Sequence, residues 1–504
     1  MNIKRAKQEI TNTIQAYLKR GENGDYLIPP LKQRPILLSG PPGIGKREIV
    51  KQAAKECQIG LVSYTMTHHT RQSVVGLPIV KEKNYQGKIY SVTEYTMSEM
   101  VVAIYEKMEH SSHKEGILFL DEIDCVSETL VPMVTQLLQE KTFGNQEIPG
   151  GWTIVAAATP PEYHRLVREF DIATLDRMKR IDIEENLEVW KEYAYRQEVH
   201  PAIISYLELR KENFYKVETT VDGKYFVTAR GWEDLSRFIK VYEQMDKKVD
   251  YRVIEQFVQH PEISKDFATF LELYHKYKQD YNINDILHGQ WDMSVVQKVK
   301  LAPLDERLGI ISLLNGRLNE MFIACHALNY YVSKLHHYLI YYRENQATVL
   351  LDDVCLFAEK EKMKAVEKGL LDKREERSYQ QVIDTLEAFS REIKGEMHYE
   401  EESFAKVKAL FKKRVAMREA KLNQTGKMLE FVFLFMEDAF GESQEMAAFV
   451  TELNASYYSL WFIKEHGSDL YYRHSKGLFL AEQHQDVLDE LEELERIVER
   501  REIN

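Results

Sequence analysis

The run Gly40-Pro41-Pro42-Gly43-Ile44-Gly45-Lys46 follows a short apolar stretch and precedes a helix-like one, Arg47 to about Cys57. Glycines let the backbone curl so that successive N–H groups point at phosphate oxygens, and the start of a helix adds partial positive charge. Lys46 then reaches the β- and γ-phosphates as a point charge. The next residue is Arg47, where the full pattern wants Ser or Thr to ligate Mg²⁺. A guanidinium cannot bind a cation. Mg²⁺ is therefore expected to be held by water and Asp121 alone, or held more weakly.

Downstream, Ile117-Leu118-Phe119-Leu120 is an apolar run ending in Asp121-Glu122. Asp121 is expected in the Mg²⁺ shell. Glu122 is expected to polarise the attacking water, the general-base role that in-line phosphoryl transfer needs. A single Asp after a strand is commonly just a helix cap. An Asp-Glu pair behind a four-residue apolar run, downstream of a glycine loop, is much less common and points to nucleotide binding.

Other chemistry-bearing residues carry less. His68-His69 have no Asp, Glu or Cys after them at ligand spacing, so a metal site is not expected there. Cys57, Cys125, Cys325 and Cys355 form no close-spaced pair and read as buried free thiols in a reducing, cytoplasmic setting. Tyr330, Tyr331, Tyr338, Tyr341 and Tyr342 could stack on bases. Their helical spacing beside leucines reads instead as helix packing. Asp489–Glu495 reads as a solvated helix face.

These groups need a scaffold. Pro35–Ser39, Leu61–Tyr64, Ile117–Leu120 and Thr153–Ala158 are expected strands, separated by helical patterns, and alternation of this kind predicts a parallel sheet with helices on both faces. An amphipathic helix with Ile10, Ile14 and Leu18 on one face precedes them. Residues 186–278 read as a helical lid with a hairpin at Tyr215–Val227 turning at Asp222-Gly223. All thirteen prolines lie at or before Pro303, so the rest is expected to be helical, with helices at Leu308–Tyr342, Glu359–Glu376 and Gln380–Lys394. The expected division is 1–185, 186–278 and 279–504.

The 504-residue chain is 44% hydrophobic and 29% charged, which excludes wholesale disorder. Its net charge of −13 shows no basic nucleic-acid footprint, so nucleic acid is not the expected partner. No apolar run reaches the ~18 residues of a membrane-spanning helix. The basic N-terminus lacks the apolar stretch of a signal peptide.

Five segments in order resemble the MoxR-type branch of the AAA+ ATPases, over about residues 30–260: GPPGIGK its Walker A loop, ILFLDEID its Walker B strand, TIVAAATPPEY from Thr153 its sensor 1 strand, ATLDR from Ala173 its arginine-finger box, and TARGW from Thr228 its sensor 2. The resemblance implies an α/β P-loop core, a helical lid, and ATP with Mg²⁺ as ligands. Thr159 stands where this family usually has Asn, and its hydroxyl could still bond the attacking water. Arg177 resembles the finger that reaches a neighbouring subunit's γ-phosphate, with Arg165 and Arg168 competing for that role. Arg230 resembles the lid arginine that contacts phosphate and couples nucleotide state to lid angle.

Gly76–Val92, turning at Gln86-Gly87, resembles the branch's hairpin insertion, and Lys141–Gly151 the hairpin before sensor 1. In ring ATPases such hairpins face the pore or the partner. The resemblance further implies a homo-oligomer, typically hexameric, that remodels or assembles a partner protein. A separate von Willebrand factor A domain protein is the partner implied. Two other readings stay open. One is a nucleotide-binding scaffold with weak or no hydrolysis, motivated by Arg47 and Thr159. The other is a nucleic-acid motor, which the acidic balance disfavours.

Overall fold

A computed structural model describes residues 1–68, 76–110, 113–143, 146–163, 170–220, 223–345, 349–367, 371, 373–394 and 400–475. By internal contacts the chain forms two units, one of residues 1–189 with 215–231, the other of 190–214 with everything from 232 onward. Among the described residues, no helix is long and apolar enough to cross a membrane.

The first unit is built on strands β1 (Ile36–Ser39), β2 (Gly60–Thr65), β3 (Pro78–Tyr85), β4 (Lys88–Tyr95), β5 (Gly116–Asp121), β6 (Thr142–Phe143), β7 (Gln146–Glu147), β8 (Trp152–Ala158) and β9 (Lys179–Asp182), followed by β10 (Lys216–Thr220) and β11 (Gly223–Val227). Five of them form one parallel sheet in the order β2-β5-β8-β1-β9. The remaining six pair as antiparallel hairpins, β3 with β4, β6 with β7 and β10 with β11.

Side chains alternate across a strand, and here both alternating sets are buried. Ile36, Leu38, Ile117, Phe119, Val155 and Ala157 face one core, closed by Ile10 and Ile14 of the helix Ile3–Leu18 and by Val50 and Ala53 of the helix Lys46–Glu56. Leu37, Leu118, Leu120, Ile154 and Ala156 face the other. That core is closed by Val101 and Ile104 of the helix Glu99–His110 and by Leu137 and Leu138 of the helix Val131–Glu140. The expected parallel sheet with helices on both faces is therefore the observed one, and each expected strand falls within a residue or so of its place.

Strand β9 was not anticipated. Among the described residues it pairs only with β1, and of Lys179-Arg180-Ile181-Asp182 only Ile181 is buried, so an edge strand with one inward side chain carries little apolar signal. The turn of β3–β4 falls at Gln86-Gly87, both with positive φ (51° and 81°), as a two-residue hairpin turn requires. In the β10–β11 hairpin, Asp222 lies outside the described residues.

The second unit is helical among its described residues. Its longest members are Leu304–Glu344 and Glu400–Phe440, each of 41 residues, consistent with the absence of proline there. Tyr331, Tyr338 and Tyr342 are buried in its core beside Val354, Val382 and Leu386, so three of the five clustered tyrosines serve packing. The helix expected at Glu359–Glu376 is a misreading. Two helices, Leu351–Glu367 and Lys373–Lys394, occupy that stretch, and the sequence between them holds a stop signal, Gly369, and a start signal, Asp372. All four cysteines are free, but Cys57 and Cys125 are only half-buried rather than fully inside. His69, Arg165, Arg168 and Asp489–Glu495 lie outside the described residues.

Candidate functional site

The glycine loop connects the carboxyl end of β1 to the helix Lys46–Glu56, and β1 sits between β8 and β9 inside the sheet. Crevices at the carboxyl ends of parallel strands are where open α/β sheets take ligands. Gly43 and Gly45 hold φ of 77° and 99°, left-handed conformations that a side chain at either position would strain. Gly45 caps the helix, so the free N–H groups of the first turn face the loop's hollow.

Lys46 Nζ donates to the carbonyls of Gly40 (2.6 Å) and Pro41 (3.0 Å), folded back on its own loop. Burial pushes its pKa down to about 8, with Asp121 and Asp124 pulling it up and Arg230 pushing it down. The P-loop lysine, the strand-end carboxylates and Arg230 therefore lie close enough to act on one another's charge. Arg47 is exposed and acts in the same way on Asp121.

Asp121 ends β5 half-buried. Burial raises its pKa, the N–H of Glu122 (3.1 Å) lowers it, and Glu122 raises it again. Glu122 itself is exposed with φ 54° and ψ 43°, a left-handed conformation rare for a residue with a side chain. The conformation throws the carboxylate off the strand direction. Its Oε2 accepts a 2.9 Å hydrogen bond from Thr67 Oγ1, on the turn after β2.

Thr159 follows β8. Its backbone N–H donates to Asp124 Oδ2 at 2.8 Å, and Asp124 is 3% exposed. Asp124 closes the ILFLDEID segment, two residues beyond the Asp-Glu pair, and the sequence alone assigns it no role. Its signal was a third carboxylate in a segment too apolar to leave it solvated.

The segment 215–231 closes over the loop. Tyr215 Oη donates to the Pro42 carbonyl at 2.9 Å, and the Arg230 backbone N–H donates to the Gly43 carbonyl at 3.2 Å. A Cβ built on Gly43 would meet Thr228 Oγ1 at 2.9 Å, so the two segments are in close apposition. Tyr215 was not anticipated either, since nothing in the sequence links a lone tyrosine to a loop 173 residues away.

Arg177 lies apart from this group. It follows the short helix Ile172–Leu175, is exposed, and donates to Gln139 Oε1 on the helix Val131–Glu140. The structure thus brings together Gly40 to Arg47, Asp121, Glu122 and Arg230, with Thr159 joined through Asp124. It does not bring Arg177 to them.

The donor set suits a nucleotide with Mg²⁺. Phosphates find N–H groups and an ammonium, and Mg²⁺ commonly takes one or two carboxylates, with waters and phosphate oxygens completing its octahedron. Asp121 would be that carboxylate. Arg47 supplies no ligand, so one more position would fall to water.

No curated protein matches the sequence. Residues 36–187, less than a third of the chain, match the model of the ATPase family associated with various cellular activities (AAA). The matched segment runs from the first residue of β1 past β9 and so contains the glycine loop, the Asp-Glu pair and Thr159. The geometry and the match agree: within this chain, residues 36–187 form a P-loop ATPase domain of the AAA kind.

Proposed function

We propose that the protein hydrolyses Mg²⁺-ATP as an AAA+ ATPase of the MoxR branch, in a homo-oligomeric, hexameric ring that remodels or assembles a partner protein. The observation that carries this reading is the convergence of Lys46, Asp121, Glu122 and Arg230 at the carboxyl end of one parallel sheet.

In this reading the loop from Gly40 to Gly45 surrounds the phosphates with N–H groups, and Lys46 exchanges its two loop carbonyls for phosphate oxygens. Asp121 holds Mg²⁺, which when bound draws charge off the β- and γ-phosphate oxygens. Glu122 orients a water and accepts its proton, with the Thr159 hydroxyl beside it. Arg230 senses phosphate from the helix Ala229–Gln244, whose start is already bonded to the loop. Arg177 acts on the next subunit's γ-phosphate, and its exposure and its bond to Gln139 on the helix Val131–Glu140 support that assignment.

A separate von Willebrand factor A domain protein is the partner proposed. The β3–β4 and β6–β7 hairpins would face it or the pore. The division 1–185, 186–278 and 279–504 and a cytoplasmic setting belong to the same proposal.

Arg47 favours a second reading, a nucleotide-binding scaffold with feeble hydrolysis, because it occupies the Mg²⁺-ligating position and its charge acts on Asp121. Measuring binding and turnover separately distinguishes the two. A fluorescent ATP analogue should bind the wild type and not Lys46→Ala. Arg47→Thr should strengthen Mg²⁺ dependence and raise turnover; lowered turnover would contradict the role given to position 47.

A further inference from the structure

The β3–β4 hairpin buries almost nothing. Every residue of β3 is exposed, and on β4 only Val92 and Glu94 are half-buried. An isolated two-stranded hairpin is marginal in water, and here Ile89 (68% exposed) and Tyr95 (50%) stand in solvent.

Its two outer edges differ. Pairing runs unbroken from Pro78–Tyr95 to Tyr85–Lys88. The Thr96 N–H donates to the Leu77 carbonyl at 2.9 Å, so those two residues are a hydrogen-bonded pair. In an antiparallel ladder every second pair is of that kind, here Ile79–Glu94, Lys81–Val92, Lys83–Tyr90 and Tyr85–Lys88. On β4 this leaves Ile89, Ser91, Thr93 and Tyr95 with N–H and C=O groups directed away from β3. Among the described residues no third strand takes them. β3 is blunted as edge strands commonly are, by Pro78 and by the charges of Lys81-Glu82-Lys83. β4 is not. Between Lys88 and Glu94 it reads Ile89-Tyr90-Ser91-Val92-Thr93, uncharged, without proline and high in strand propensity.

A second β4 fits this edge. Laid antiparallel about a two-fold axis at Val92, each outward residue meets an outward residue, Ile89 opposite Tyr95 and Ser91 opposite Thr93, every pairing made twice. On the other face Val92 meets its own copy and Tyr90 meets Glu94. Within one chain Glu94 already holds Lys81 (2.9 Å) and Lys83, while Lys88 makes no ion pair among the described residues. Across the axis Lys88 falls diagonal to Glu94 of the second copy, within reach of a long side chain. No two like charges stand directly opposite each other across the new pairing.

We propose that β4 is a self-pairing edge: two copies of this chain join β4 to β4 in that register, making one four-stranded antiparallel sheet. The pairing goes beyond the ATPase reading and is separable from it, because it is two-fold, whereas the contact proposed for Arg177 is head-to-tail.

The test uses the full chain at high concentration without nucleotide, in the analytical ultracentrifuge. Ser91→Pro removes an outward N–H that β3 does not use, so the hairpin keeps its own ladder. The substitution should halve the mass of the particle, from dimer to monomer or, where the ring also forms, from a pair of rings to one. The halving therefore does not depend on the ring. Unchanged binding of a fluorescent ATP analogue shows that the variant is folded. Val92→Cys should give a disulfide-linked dimer under mild oxidation, because directly opposite residues of a non-hydrogen-bonded pair have Cα atoms ~4.5 Å apart, within disulfide range. Val80→Cys, exposed on β3 away from the axis, should not, and neither should wild type with its own four cysteines. Equal masses for wild type and Ser91→Pro, no cross-link through position 92, or a cross-link as ready through position 80 would each overturn the proposal.

Discussion

Thr67 Oγ1 donates a 2.9 Å hydrogen bond to Glu122 Oε2, so the carboxylate proposed as general base is held by the turn after β2 rather than by its own strand. That bond restrains the carboxylate and occupies one of its acceptor sites, which a water to be activated also needs. Thr67→Ala should therefore raise basal phosphate release while leaving nucleotide affinity unchanged. One such bond is worth about 0.5–1.5 kcal/mol, so the expected gain is about two- to tenfold. Thr67→Ser should behave as wild type. A fall in turnover, with affinity intact, would show that Thr67 positions Glu122 rather than restraining it.

Nucleotide affinity should depend on pH through Lys46. Burial depresses its pKa to about 8, against 10.5 for an ordinary lysine, and phosphate binding needs the ammonium form. Below about pH 8 the empty site already carries the charge, and affinity should be flat. Above it, each binding event must first protonate Lys46, so affinity should fall as pH rises through this value. Titrating a fluorescent ATP analogue from pH 6 to about 9.5 reads this directly; a curve flat to the upper limit would contradict the placement of Lys46 in its buried setting.

Asp124 links the two strands that present the site. Its buried carboxylate accepts the Thr159 N–H, and Asp124→Ala would leave that donor without its acceptor. A loss of about 1–3 kcal/mol in stability is expected, with turnover reduced more than affinity, because Thr159 would no longer be fixed relative to Glu122. Chemical denaturation alongside kcat and KM separates these effects. Unchanged stability would mean that the strand end is held by other contacts.

Arg177→Ala should bind ATP normally and hydrolyse it slowly. Mixed with Glu122→Gln, it should recover part of the turnover, since a mixed ring contains interfaces with an intact base on one subunit and an intact arginine on the next. No recovery on mixing would assign the finger role to Arg165 or Arg168, or place Arg177 on its own chain's nucleotide.

The scaffold was legible where residue pattern and physical constraint coincide. Ile117 to Leu120 is apolar at every position because both faces of β5 are covered, and its shortness and its place between helical patterns make it read as a strand. The glycine loop was legible because glycine is the residue that takes the left-handed backbone at positions 43 and 45 without strain. What escaped were contacts between distant residues. Tyr215 on Pro42, Asp124 on Thr159 and Thr67 on Glu122 are each single polar side chains, and only the fold brings them to their partners. β9 escaped because an edge strand buries one side chain in four. The division between Leu351–Glu367 and Lys373–Lys394 was legible in Gly369 and Asp372, a stop and a start signal set among strong helix formers.

The most direct test is steady-state phosphate release with Mg²⁺-ATP at high protein concentration, wild type beside Glu122→Gln. Turnover in the wild type that vanishes in the mutant, with both binding nucleotide, is the expected result and establishes Glu122 as the base of a working ATPase. Equal release from the two proteins would contradict Glu122 as the base, and binding without release in either would leave the scaffold reading in its place.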